Sequence, residues 1–187
     1  PGDFGTLNYA LSFVGIFIVL ASLGLDNIVI RELVKSQELK AQILGTSVVL
    51  KLSGALLMIG LITIILPFTS SSTHTSYIVF VIAAGSLFQS VNVIDFYFQS
   101  QVQGKYIVQA SFVTLFLSSL IKLALIVFRA PLDSFAYVIL FESAVTALLL
   151  ITLYKSTSSS VDSWSVSFQT AKRLLKESWP LILSGLG

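Results

Sequence analysis

Apolar residues fall into five long blocks along this chain, separated by short polar, basic or turn-forming stretches. The first block, Leu11 to Ile30, carries one acid, Asp26, and passes directly into Arg31-Glu32-Leu33-Val34-Lys35 and on to Lys40. About twenty residues at 1.5 Å rise cover the ~30 Å hydrocarbon core of a bilayer. Apolar positions within each block are continuous, not alternating, which predicts helices and argues against a β-barrel. Spanning helices are expected at 7–30, 42–66, 77–99, 106–128 and 134–154, with Trp179-Pro180 opening a sixth. The predicted fold class is an all-α integral membrane protein, a polytopic helical bundle of five full transmembrane helices plus the start of a sixth.

Charge orients the bundle. Alternating the spans puts Arg31, Lys35, Lys40, Lys105, Lys155, Lys172, Arg173 and Lys176 on one side and only Arg129 on the other. That asymmetry assigns the first side to the cytoplasm. Trp164, Phe168, Ala171 and Leu175 recur at helical spacing opposite Gln169, Lys172, Arg173 and Lys176. This pattern predicts an amphipathic helix over 164–177, suited to an anionic leaflet. His74, in a Ser/Thr-rich outer loop, is expected to be solvated.

Polar residues inside the spans form stripes. Gln89, Asn92, Asp95, Gln99 and Gln103 fall within ~120° of one helix face at 100° per residue. Ser111, Thr114, Ser118 and Lys122 share a face, as do Ser22 with Asp26, Ser47 with Lys51, and Glu142 with Thr146. Small polar residues in a stripe often serve helix packing alone, but a charge deep in the bilayer costs roughly 2.5–3.5 kcal/mol. Lys51 lies ~14 Å from the cytoplasmic end of its span, too deep to snorkel easily, so it is expected to face water or ligand. Lys122 and Glu142 sit at matching depths, which allows either an ion pair or a functional role. Asp95 belongs to the longest stripe, and Asp26 is close enough in sequence to balance Arg31. Converging stripes of this kind describe a hydrated cavity of mixed charge.

Composition narrows the chemistry. The 187 residues are 55% hydrophobic and 11% charged, with a mean hydropathy of +0.92. A soluble domain carries about 25% charged residues. The net charge of +2 sits at span ends, which favours topology over a nucleic-acid patch. Without cysteine there are no disulfides and no thiolate metal sites. One histidine, no P-loop and no metal-spaced cluster leave no catalytic set, so neither a cofactor nor an enzyme is expected. The chain opens on Pro1 and closes at Gly187 within an apolar block, which reads as a piece of a longer protein.

Several segments resemble the Wzx-type polysaccharide flippases, of the multidrug/oligosaccharidyl-lipid/polysaccharide exporter superfamily. They are Pro1-Gly2-Asp3-Phe4-Gly5-Thr6-Leu7, Ala21-Ser22-Leu23-Gly24-Leu25-Asp26 through Arg31-Glu32-Leu33-Val34-Lys35, Leu44-Gly45, Asp95-Phe96-Tyr97-Phe98-Gln99 and Leu174 to Leu181. The resemblance implies one lobe of a two-lobe transporter of six helices per lobe, with helices two to six and the start of helix seven represented here. It divides the chain into a partial N-terminal transmembrane lobe (1–154), a cytoplasmic or interfacial linker (155–178) and the start of the next helix (179–187). It implies export of undecaprenyl-pyrophosphate-linked oligosaccharide by alternating access across the plasma membrane, with membrane lipids and polysaccharide-assembly proteins as partners. The family supplies no short motif to transfer, so roles rest on depth and charge. Lys51 and Lys122 are candidate substrate-binding cations. Asp95, Glu142 and Asp26 are candidate coupling or cavity acids, beside Gln89, Asn92 and Gln99. A drug or metabolite exporter of the same superfamily is the alternative, and a membrane-embedded glycan polymerase a remote one.

Overall fold

The computed structural model describes residues 2–69, 72–131, 133–157 and 164–185, the side chains of residues 2–4, 20 and 179–185 aside. Eight helices account for it: α1 (Gly2–Ser22), α2 (Asp26–Lys35), α3 (Lys40–Ile65), α4 (Thr73–Gln89), α5 (Val93–Ser100), α6 (Gly104–Val127), α7 (Asp133–Thr157) and α8 (Phe168–Gly185). Short 3-10 turns at Gln37–Leu39, Leu66–Phe68 and Ser90–Asn92 join or extend them, and no strand occurs among the described residues. Among the described residues four stretches are long and apolar enough to cross a membrane: Gln37–Phe68, Thr73–Ser100, Gly104–Val127 and Asp133–Thr157. A fifth apolar helix, Gly5–Val19 within α1, is shorter. The molecule is an all-α polytopic membrane protein.

The first span differs from its expected form. The uninterrupted helix expected over 7–30 stops at Ser22 and resumes at Asp26. Leu23 and Gly24 both adopt left-handed backbone, φ 52° and 60°. Ser22 Oγ donates to the Val19 carbonyl at 2.9 Å and accepts from Gly24 N at 3.4 Å. This local bonding competes with continued helix. Hydropathy cannot register it, because Leu23-Gly24-Leu25 is as apolar as the helix it interrupts.

Packing mostly joins helices that are not consecutive in the chain. α1 lies on α3 and α4, α4 on α7, α7 on α6, and α2 on α5. Small residues permit the closest approach: a Cβ on Gly85 of α4 would come within 3.2 Å of Ser143 Oγ on α7. One apolar cluster joins Leu25, Val29, Leu33, Leu44, Phe98, Tyr154 and Leu174; a second joins Val14, Met58, Ile62, Val79 and Ala136. α6 buries only Ala110, Thr114 and Ser118, and exposes Phe112, Leu115, Phe116, Leu120 and Leu123. Small polar residues inward and large apolar ones outward is the pattern of a lipid-facing helix. Two helices end on Schellman motifs built from non-glycine residues, Val102 (φ 56°) and Arg129 (φ 51°). There Gln103 N reaches Phe98 O at 2.8 Å and Ala130 N reaches Leu125 O at 2.9 Å.

Helix ends gather at two poles. At the basic pole Tyr97, Tyr154 and Trp164 stack edge to face, with Lys40 Nζ 6.0 Å from the Tyr97 ring. At the opposite pole the Tyr77 and Tyr137 hydroxyls bond to each other. His74 is exposed there as expected, but not alone: it lies in the first turn of α4, its Nε2 2.6 Å from Asp133 Oδ2. Residues 70, 71 and 132 of the expected outer loops lie outside the described residues.

The helix expected over 164–177 starts at Phe168 instead and runs on without interruption to Gly185. Its buried face is also shifted. Thr170, Leu174 and Ser178 pack inward, while Phe168 and Leu175 of the anticipated apolar stripe stay exposed. Residues 164–167 form an irregular strap across α3, with Ser165 N to Ala41 O at 3.4 Å and Ser167 N to Thr46 Oγ1 at 3.1 Å. Residues 158–163 of the expected linker, and 186–187 of the expected sixth span, lie outside the described residues.

Candidate functional site

Lys51 sits eleven residues into α3, ~16 Å along its axis. It is 7% exposed. An ammonium this deep requires a partner, because burying a lone charge costs far more than a pair returns. Its Nζ lies 2.9 Å from Asp26 Oδ1 and 4.6 Å from the centroid of the Phe96 ring, a cation–π distance. Asp26 opens α2 immediately after the Leu23-Gly24 break, so the left-handed turn brings its carboxylate opposite Lys51. An acid in the first turn also suits the helix dipole. Half of the Asp26 side chain remains exposed, against 8% for Lys51, so the pair has one sheltered and one open member. Asp26 thus balances Lys51, not Arg31.

The pair borders a cavity of about 300 Å³. Val19 and Ser22 at the end of α1 form one wall, and Ser86, Gln89, Ser90, Asn92, Asp95 and Phe96 form the other. That second wall is bent. Ser86 Oγ donates to Ala83 O at 2.7 Å and Ser90 Oγ to Leu87 O at 2.6 Å. Serine back-bonding of this kind loosens a helix, and the 3-10 turn Ser90–Asn92 follows. Two helix irregularities thus flank one polar cavity, the setting in which non-helical backbone is tolerated at membrane depth.

The expected site residues separate into two groups. Lys51, Asp26, Gln89, Asn92 and Asp95 share the cavity. Gln99 does not line it; one turn further on, its Nε2 donates to Asp95 Oδ1 at 3.1 Å. Lys122 and Glu142 do not line it either. They pair with each other across α6 and α7 at 2.6 Å, beside a second groove of about 290 Å³ lined by Ser111, Thr114, Leu115, Glu142 and Thr146. Lys122 is therefore no neighbour of Lys51 in this structure.

Sequence reasoning missed Ser86 and Ser90, although Ser86 sits one turn before Gln89 and Ser90 directly follows it. It also missed a charge network at the basic pole. Glu32 is 6% exposed, 3.0 Å from Arg173 of α8 and 4.0 Å from Arg31, and Arg31 in turn bonds Glu177 of α8. A signal was available: Ile28, Val29, Glu32 and Leu33 share one helical face, which places the acid on the apolar side of α2. Among the described residues no group of three or more His, Asp or Glu is placed to hold a metal ion.

All 187 residues match the model of a family described as polysaccharide biosynthesis protein. Neither the curated proteins nor the solved structures contain a significant match to the chain.

Proposed function

This chain belongs to the polysaccharide biosynthesis protein family, and on that premise we propose that it is part of a Wzx-type flippase. It moves undecaprenyl-pyrophosphate-linked oligosaccharide from the cytoplasmic to the outer leaflet of the plasma membrane by alternating access. Residues 1–154 belong to the N-terminal lobe, 155–178 form the linker, and 179–187 begin the next span. The chain transports and does not catalyse.

The observation that carries this reading is Lys51: a deep cation, paired on one side and bordering a polar cavity on the other. A pyrophosphate crossing hydrocarbon unpaired meets a desolvation cost of many kcal/mol. A lysine facing a hydrated path offsets that cost at the charged head, while the sugar stays in wider aqueous space outside this cavity. Asp26 moderates the attraction, so capture does not become permanent.

Complementation of a flippase-deficient strain tests it. Lys51→Ala removes a charge-assisted contact worth ~1.5–3 kcal/mol and lowers export by about tenfold or more. Lys51→Arg, which keeps the charge, retains more activity. Full export by Lys51→Ala at normal membrane levels removes the residue from the mechanism.

A further inference from the structure

The network between α2 and α8 has no evident part in holding cargo, yet it is costly to maintain. Glu32 is a nearly buried carboxylate, and Arg173 at 3.0 Å and Arg31 at 4.0 Å are its cations. Arg31 reaches on to Glu177, so two acids and two arginines alternate between the two helices. Surface ion pairs contribute little. A pair anchored on a buried acid is different, because removing one partner strands the other away from water.

These contacts act on a short element packed on its neighbours through Ile28, Val29 and Leu33 but bounded by non-helical backbone at both ends. α2 has ten residues, Asp26–Lys35. Its N-terminal side is joined to α1 through the left-handed Leu23-Gly24 link, and left-handed backbone costs a non-glycine residue roughly 1–2 kcal/mol. Its C-terminal side gives way after Ser36 to the 3-10 turn Gln37–Leu39. Flanked by two non-helical joints, α2 takes its orientation from what it packs on: α5, α3 and α8. Asp26 stands in its first turn and Glu32 six residues on, ~9 Å along the axis. A ten-residue helix shifts as one body, so a displacement of the Glu32 end along the helix axis carries the Asp26 carboxylate with it relative to Lys51. An ion pair at 2.9 Å does not survive a displacement of a few ångströms undiminished.

We propose that Glu32 and Arg173 are positioning residues that set, through α2, whether Lys51 is paired with Asp26 or free for an anionic head group. With the α2–α8 contacts closed, Asp26 covers Lys51. When α8 moves away, α2 follows as one body, Asp26 withdraws, and Lys51 becomes available to phosphate. The helix that leads out of the described bundle thereby controls the charge on the cavity wall. This rests on the reading of Lys51 as the cation that meets cargo.

Lysine acylation in membranes tests the coupling without any cargo. The protein is treated briefly with an amine-reactive ester, and modification at Lys51 is read by peptide mass spectrometry, with Lys122 as internal reference. Asp26→Asn, which removes the cover directly, sets the ceiling, on the order of fivefold above wild type for a half-exposed pair. Arg173→Ala raises Lys51 modification toward that ceiling and leaves Lys122 unchanged. Glu32→Gln does the same and leaves no buried charge stranded, so it answers where Arg173→Ala fails to accumulate. Wild-type Lys51 reactivity in inserted Glu32→Gln protein overturns the proposal, and so does an Asp26→Asn variant no more reactive than wild type. Failure of Lys51→Ala to affect export, with acylation behaving as stated, refutes the cargo reading and leaves the coupling standing.

Discussion

Two buried or half-buried lysines in this molecule solve the same problem with different partners and in different surroundings. Lys51 is sheltered, pairs with a half-exposed acid, and borders a cavity. Lys122 is 40% exposed in its side chain and pairs with Glu142 at 2.6 Å beside a separate groove. The second pair joins α6 to α7 near Thr114 and Thr146, which themselves bond at 3.1 Å. Lys122→Met and Glu142→Gln are expected to destabilise the protein singly and to be less than additive together, with a coupling of about 1 kcal/mol. Thermal unfolding of the four cycle members in detergent provides the measurement, and strict additivity dismisses the pair as a stabiliser. Asp95 belongs with the cavity instead. Asp95→Asn is expected to impair export with unchanged membrane insertion, scored by complementation and immunoblot; undiminished export clears the acid of any coupling role. Deep charges stood out in the sequence because each is expensive in hydrocarbon. Matching depth also made the Lys122–Glu142 pair legible, whereas Asp26 as the partner of Lys51 was not, because that pairing depends on how the Leu23-Gly24 turn aims α2.

At the scale of elements, four spans emerged within a few residues of their predicted ends, since a continuous apolar run admits few alternatives in a bilayer. Departures from that regularity lie where backbone geometry overrides hydropathy. The Leu23-Gly24 break and the Ser90–Asn92 turn both sit in apolar surroundings, and both border the cavity. Gly24→Ala places a Cβ at φ 60° and is expected to cost about 1–2 kcal/mol, with loss of export exceeding loss of protein. The strap over α3 imposes a sharper constraint. A Cβ on Gly45 would lie 2.5 Å from the Ser165 carbonyl oxygen and 3.1 Å from Ser165 N, so one methyl cannot fit beneath the crossing chain. Gly45→Ala is therefore expected to lift residues 164–167 and expose the bond there to proteolysis. Limited digestion that cuts the variant no faster than wild type contradicts the close approach.

For the whole molecule, charge at the helix ends gives an orientation that packing does not. The two poles differ in chemistry: lysines, arginines and an aromatic cluster at one, the His74–Asp133 and Tyr77–Tyr137 contacts at the other. A cysteine at Gln37 should resist an impermeant thiol reagent added from outside, whereas one at Thr73 should react; the native chain contributes no background, having no cysteine. Efficient outside labelling at Gln37 reverses the orientation. The strap's anchor at the basic pole has an optical consequence. Trp164 donates its indole N–H to the Tyr154 hydroxyl at 3.2 Å and stacks edge-on against that ring, 5.6 Å between centroids. The sequence holds just two tryptophans, Trp164 and Trp179. With Trp179 replaced by Phe, tryptophan emission, excited selectively over the tyrosines, comes from Trp164 alone, blue-shifted while docked and red-shifted once the strap lifts and water reaches the indole. The protein thus carries an intrinsic fluorophore on the strap itself, whose emission reports without any attached dye whether residues 164–167 are docked, as in wild type, or lifted, as expected for Gly45→Ala.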